Sequence, residues 1–154
     1  MTDELAPDVI NGFLDVVVRY LRSTVGIDAV VAAIGEPTQA PHSIAVALDF
    51  RGDIRGPVTW VFPQPIALEL VRRLLCEPDP PPETAADGAT ELANILTGRA
   101  SEVLERHGFQ CEFGVPRLHS GELPVGIAVR MATKNGPIDV VLSLAKTGRF
   151  KRVS

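Results

Sequence analysis

The chain has 154 residues, of which 45% are hydrophobic and 22% charged, and this balance is typical of a soluble globular protein. Its length suits one domain with a sizeable core, so we expect residues 1–154 to form a single domain that ends in a basic tail at 146–154. The net charge of −4 disfavours nucleic-acid binding. We expect the chain to be cytoplasmic, because its N-terminus lacks a signal-peptide pattern and no apolar run reaches the roughly 18 residues that cross a bilayer.

The first half of the sequence predicts one helix followed by three strands. Apolar residues recur at helical spacing over Pro7–Ser23, and Gly26 ends this helix. The runs DAVVAAIG, SIAVALDF and GPVTWVF then have strand character. In the second run Ile44, Val46 and Leu48 alternate with small or polar residues, so one face of that strand is apolar. The segment RGDIRG predicts a hairpin turn between the last two runs.

The second half predicts two helices followed by three strands. A helix is expected over Pro65–Cys76, and the prolines of Pro78–Pro82 end it because proline cannot donate a helical hydrogen bond. A long helix is expected over Glu83–His107, with Gly108 as its stop. The strands FQCEF, VGIAVRMA and IDVVLSLA follow, and the Asn-Gly turn in TKNGP predicts a hairpin between the last two. This order indicates an α+β, sandwich-like fold with a mostly antiparallel six-stranded sheet and helices packed on one face.

The long helix has two distinct faces at about 100° per residue. Its core face is rich in alanine, which allows close packing on a sheet: Ala85, Ala89, Leu92, Leu96, Ala100 and Val103. The opposite face is polar apart from one glycine: Asp87, Glu91, Asn94, Gly98, Ser101 and Glu105. Asn94 and Gly98 cost the helix about 0.5 and 1 kcal/mol relative to alanine. Because no packing reason offsets this cost, we interpret the face as a docking surface. Two alternatives stay open. The Glu91 side chain could simply be solvated, and Thr84 and Asp87 could form a capping box.

The segments ELANILTGRA and VPRLHSG together resemble the chemotaxis phosphatase family typified by CheX and related to CheC and FliY. The family's mark is a Glu-x-x-Asn helix with a glycine shortly after the Asn and a Pro-then-Gly loop further on. The matching residues here are Glu91, Asn94, Gly98, Pro116 and Gly121. The resemblance extends over nearly the whole chain, because VINGFLDVVVRYL is similar to the family's opening helix and PIDVVLSLA to its closing strand.

This resemblance implies a phosphatase that hydrolyses the aspartyl phosphate of a CheY-like response regulator in chemotaxis or two-component signalling. Asn94 would orient the attacking water, since a neutral carboxamide can accept a hydrogen bond from water beside an anionic phosphoryl group. Glu91 would pair with the receiver's lysine. The positions expected to contact the partner are Asp87, Gly98 and Ser101.

The same resemblance implies a homodimer that pairs through its sheet, Mg²⁺ held by the receiver domain, and no cofactor or metal of the chain's own. Two alternatives stay open. The chain could dock a receiver without turnover, as a binding module, or act as a structural component like the family's flagellar switch relatives. Asp8 and Asn11 on the first helix resemble a degenerate second copy of the motif, but an acid at that position also stabilises the helix dipole.

The cysteines and histidines indicate no further site. Cys76 and Cys111 have neither CxxC spacing nor a disulfide framework, and we expect both to be buried thiols in a reducing compartment. His42, His107 and His119 are scattered, so no metal site can be assembled from the sequence.

Overall fold

The computed structural model describes residues 4–36 and 43–148, so His42 and the tail beyond residue 148 lie outside the described residues. Within these ranges the chain forms three α-helices: α1 Pro7–Tyr20, α2 Gln64–Leu74 and α3 Ala85–Arg106. It also forms eight strands: β1 Val30–Gly35, β2 Ser43–Gly52, β3 Ile54–Pro63, β4 Cys111–Phe113, β5 Arg117–His119, β6 Ile127–Ala132, β7 Ile138–Leu142 and β8 Ala145–Lys146. A π-helical turn at Leu21–Val25 extends α1, and a 3-10 turn at Pro82–Thr84 precedes α3.

The strands form one sheet whose main path runs β1-β6-β7-β3-β2-β4, and all pairs among the described residues are antiparallel. This six-strand path confirms the predicted antiparallel α+β architecture. Two short strands were not predicted. β5 occupies a segment expected to be a loop, because the first half of the ten-residue β2 extends beyond β4 and leaves Ala45–Ala47 to pair with it. β8 pairs in a similar way with the first residues of β3.

The core lies on one face of the sheet. Val46 and Leu48 of β2, at the alternate positions that the sequence pattern predicts, are fully buried in a cluster to which all three helices contribute. At the centre of this cluster the ring of Trp60 stacks with that of Phe13 on α1 at 6.1 Å and an interplanar angle of 16°. It also stacks with Phe62 at 6.2 Å and 2°. The helices therefore cover the apolar face of the sheet, as predicted.

Two glycines set how closely α3 approaches the other helices. At Gly88 on α3, an added Cβ would overlap the carbonyl oxygen of Ala67 on α2 and lie 2.8 Å from Cγ2 of Val71. At Gly12 on α1, an added Cβ would lie 2.9 Å from Cγ1 of Val103 on α3. A side chain at Gly88 would require movement of a helix, because the obstacle is backbone, whereas one at Gly12 would require the Val103 side chain to move. The position of α3 is therefore fixed by close contact with both α1 and α2.

The glycines predicted to end helices and turns do so. Gly26 and Gly108 follow the first and third helical segments with left-handed φ angles of 75° and 91°. Gly136 has a φ of 117° in the turn between β6 and β7, and the pairing of those strands confirms the predicted hairpin. These conformations are accessible to glycine because it has no Cβ.

The capping box that the sequence left open as an alternative at the start of α3 does not form. Thr84 has a helical backbone, and its hydroxyl donates to the carbonyl oxygen of Pro81 at 2.7 Å rather than accepting from an amide of α3. A capping residue needs an extended backbone, whereas the 3-10 turn continues directly into the helix. Asp87 thus lies in the first turn of α3 without the reciprocal partner that a capping box provides.

The prediction of two buried thiols is also wrong. Cys76 is exposed and has a φ of 56°, because α2 ends at Leu74 and leaves the cysteine in the connector that follows. Cys111 on β4 is half-buried, and burial raises the pKa of its thiol, with Asp53 and Glu105 raising it further. None of the described helices is long and apolar enough to span a membrane.

We expect Gly88→Ala to lower the free energy of unfolding by about 1–3 kcal/mol, because the added methyl group must push α2 and α3 apart. Urea denaturation followed by circular dichroism measures the change. A variant as stable as the unmodified chain would show that the fold does not depend on this close approach.

Candidate functional site

The two faces of α3 are used as the sequence predicts. The six residues of the predicted core face expose between 0 and 5% of their surface: Ala85, Ala89, Leu92, Leu96, Ala100 and Val103. On the other face Glu91 is exposed, and Asn94 is partly exposed. Since α3 is regular over Ala85–Arg106, the two side chains are neighbours one helical turn apart on the accessible surface.

The functional groups of Glu91 and Asn94 are free of internal partners. Among the described residues, none forms a hydrogen bond or an ion pair with either side chain. The Glu91 carboxylate can therefore accept hydrogen bonds or pair with a cation, and the Asn94 carboxamide can both donate and accept. The pair therefore presents this combination of groups on the accessible surface of α3.

Gly98 is not required by the packing of the chain itself. An added Cβ there would meet Cζ of Phe113 at 3.7 Å, which is an ordinary van der Waals contact, and its φ is not left-handed. This contrasts with Gly88 on the same helix, where a Cβ would overlap the backbone of α2. Gly98 therefore makes the helix less stable than alanine would, and the packing of the chain gains nothing from it.

The other predicted contact positions lie beside this pair. Asp87 is exposed one turn before Glu91. Ser101 is partly exposed, and its hydroxyl donates to the carbonyl oxygen of Gly98 at 2.8 Å, so its donor is used within the helix. Their expected role in partner binding stays a prediction.

Two further contacts of α3 involve residues close to this pair in the sequence. The guanidinium of Arg99 lies 5.5 Å from the ring centroid of Tyr20 on α1, an arrangement that favours a cation–π interaction. α3 also contacts β4 and β5, and Cζ of Phe113 on β4 lies 3.7 Å from the position of a Cβ added at Gly98. Pro116 precedes β5 directly, so the segment that carries the Pro-then-Gly pattern begins beside the helix that carries Glu91 and Asn94.

The degenerate pair on the first helix lies apart from this face. Asp8 and Asn11 are both exposed on α1, with the same spacing of three residues. Gly12, which follows them, packs against Val103 of α3 and accounts for the close approach of the two helices. Asp8 also lies in the first turn of α1, where a carboxylate favours the helix dipole.

One feature of the site was missed by the sequence analysis. Thr97 is fully buried between Asn94 and Gly98 in the sequence, and its Oγ1 accepts a hydrogen bond of 2.9 Å from Nε1 of Trp60 on β3. The periodic pattern does not reveal this contact, because a threonine at the edge of the core face can equally point to solvent.

The described residues hold no metal-binding cluster, since no three His, Cys, Asp or Glu side chains among them come together. His107 is exposed, and His119 on β5 donates through Nε2 to the carbonyl oxygen of Glu122 at 2.7 Å. The site is therefore a carboxylate and a carboxamide on a helix surface.

The sequence matches the family model described as chemotaxis phosphatase CheX over residues 44–135, a span that includes Glu91 and Asn94. Among curated proteins, none matches the chain. The matched span runs from β2 into the turn before β7 and so covers more than half of the chain.

Solved structures share the fold at low sequence identity. The CheX protein of Desulfovibrio desulfuricans is 16% identical, with a TM-score of 0.73 over 91% of this chain and 99% of its own. A complex of CheX with CheY, BeF₃ and Mg²⁺ from Borrelia burgdorferi gives 19% identity and a TM-score of 0.68, covering 92% of this chain and 100% of the matched one. FliY of Thermotoga maritima is 12% identical, with a TM-score of 0.63 over 90% of this chain and 91% of its own.

We expect Gly98→Ala to raise the free energy of unfolding by roughly 0.5–1 kcal/mol, because alanine favours the helix and its methyl group meets only Phe113 at contact distance. The same urea titration used for Gly88→Ala measures it. If Gly98→Ala instead destabilises the chain, the glycine has a packing role within the fold.

Proposed function

The chain belongs to the CheX family of chemotaxis phosphatases, and from that membership we propose that it hydrolyses the aspartyl phosphate of a CheY-like receiver domain. The observation that carries the proposal is the accessible pair Glu91 and Asn94, one turn apart on α3 and free of internal partners among the described residues. The Borrelia burgdorferi relative is a CheX in complex with CheY, which supports a receiver domain as the partner.

Asn94 is the group that would orient the attacking water. Phosphoryl transfer depends mainly on positioning and charge stabilisation, so a residue that places water in line with the leaving aspartate oxygen is sufficient. A carboxamide accepts a hydrogen bond from this water and stays uncharged next to the anionic phosphoryl group. Its partial exposure on α3 leaves it accessible to a docked partner.

Glu91 would align the helix with the receiver. When ionised its carboxylate only accepts hydrogen bonds, so it is repelled by the phosphoryl group and suited to a lysine beside it. Asp87 lies one turn before it on the rim, and Gly98 lies one turn beyond Asn94, where the missing side chain leaves room for the backbone of the partner. We expect Mg²⁺ to be supplied by the receiver domain.

We expect Asn94→Ala to abolish phosphatase activity, with a loss of about 10²–10³-fold if this group is worth as much as other preorganised catalytic groups. The fold should be unaffected, because the side chain has no internal partner among the described residues. Loss of radiolabel from a phosphorylated CheY-like receiver, with and without the protein, measures the activity.

Asn11→Ala is the matched control, since it removes the same amide from an exposed helix position on α1. Normal activity of Asn94→Ala would contradict the proposed mechanism. Loss of activity in Asn11→Ala would reveal a second active helix. A protein that binds the phosphorylated receiver and does not accelerate loss of the label would be a binding module.

The family resemblance also leads us to propose a homodimer, and β1 is the edge best suited to form it. β1 ends the main path of the sheet, and all six of its residues are exposed. Val30 and Ile34 each expose 64% of their surface and Val31 exposes 40%. An exposed apolar edge strand can add a strand from a second copy through its free backbone groups.

We expect Ile34→Lys to convert the dimer to a monomer, because a charge on the edge disrupts strand pairing between copies. Light scattering coupled to size-exclusion chromatography measures the mass. Leu118→Lys on β5, which exposes 59% of its surface away from β1, serves as the matched control and should leave the dimer intact. The reverse result would place the interface at the other edge.

A further inference from the structure

A buried hydrogen bond joins α3 to the centre of the sheet next to the candidate site. Nε1 of Trp60 on β3 donates to Oγ1 of Thr97 at 2.9 Å, and neither residue has any exposed surface. Within the described part of the chain, no other side-chain hydrogen bond connects α3 with the sheet. Among residues 4–36 and 43–148, it is therefore the only side-chain hydrogen bond between α3 and the sheet.

The donor of this hydrogen bond is itself held in place. The Trp60 ring stacks with Phe13 on α1 and with its strand neighbour Phe62, at interplanar angles of 16° and 2°. A ring packed in this way has little freedom to turn about its side-chain bonds. The direction of the Nε1–H bond, and with it the place of the Thr97 hydroxyl, is accordingly fixed by the core.

The other close contacts of α3 lie farther from Asn94 along the helix. The close approaches at Gly88 and Gly12 restrict α3 at residues 88 and 103, whereas the hydrogen bond to Trp60 restricts it at Thr97, between them. Thr97 follows Asn94 by three residues, so the two side chains lie about 60° apart around the helix axis. A rotation of α3 that breaks the hydrogen bond to Trp60 would displace the Asn94 carboxamide as well.

We propose that Thr97 is a positioning residue for Asn94: its hydrogen bond with Trp60 fixes the rotation of α3 and so places the carboxamide against the phosphoryl group of a docked receiver. Because this inference rests on the proposed phosphatase function, its test uses the same substrate, a phosphorylated CheY-like receiver domain. Thr97 affects the reaction through Asn94 and does not itself need to contact the partner.

Thr97→Val keeps the branched shape of the side chain and replaces the hydroxyl that accepts from Trp60 by a methyl group. We expect kcat for dephosphorylation to fall by roughly 10- to 100-fold, as for other displacements of a catalytic group by about an ångström. KM should rise by a smaller factor than kcat falls, because the pairing of the Glu91 carboxylate with a receiver lysine depends less on exact alignment than the placement of water by Asn94. Thr97→Ser retains the hydroxyl and should restore kcat.

Thr90→Val is the matched control on the same helix. The hydroxyl of Thr90 donates to the carbonyl oxygen of Ala86 at 2.8 Å, within α3, so its removal should not rotate the helix and kcat should be preserved. Trp60→Phe removes the donor and keeps an aromatic ring. In that background the further change Thr97→Val should have little additional effect on kcat, which is the signature of two residues acting through one contact.

The inference is overturned if Thr97→Val has normal kcat while Asn94→Ala is inactive, a result that leaves the proposed function intact. It is also overturned if the two Thr→Val variants lose activity equally, or if Thr97→Val and Trp60→Phe act additively. Should Thr97→Val fail to fold, the activity of Trp60→Phe decides the point, and wild-type kcat there overturns the inference. No acceleration by the unmodified chain would overturn both the inference and the proposed function.

Discussion

The close packing of α3 against the sheet is the constraint on which the rest of the structure depends. Small side chains on its core face, including Ala89 and Ala93, are fully buried and let the helix lie near the strands beneath. Gly88 brings it into backbone contact with α2, and Gly12 brings α1 against its other end. A helix held this closely on three sides has one face left for another molecule, and that face carries Glu91.

Stability and the proposed chemistry are divided between the two faces of the same helix. The buried face contributes apolar contacts and the hydrogen bond from Trp60 to Thr97. The accessible face carries residues that weaken the helix, since Asn94 and Gly98 are poorer helix formers than alanine. A rigid helix anchored in the core holds such residues at fixed positions, which suits a reaction that depends on placing one water molecule.

Much of the fold was predictable because its signals are local. Alternation along β2, the Asn-Gly turn before β7 and the glycines that end helices each depend on neighbouring residues alone. β5 and β8 were missed because short strands form only where a longer strand offers free backbone groups. The alternative of a capping box at Thr84 was excluded, and the predicted burial of Cys76 was wrong, because the proline-rich connector determines how the chain leaves α2 and enters α3.

The sequence by itself determined which residues of α3 face the core and which face away, because helical periodicity assigns every side chain a direction once the helix exists. It also determined the family, since the family model matches residues 44–135, a span that includes the Glu-x-x-Asn motif of Glu91 and Asn94. Only the tertiary structure decided what lies next to that motif. Two examples are the hydrogen bond of Thr97 with Trp60 and the approach of Phe113 to Gly98. Each joins residues on different elements, and no local pattern encodes which of these residues meet.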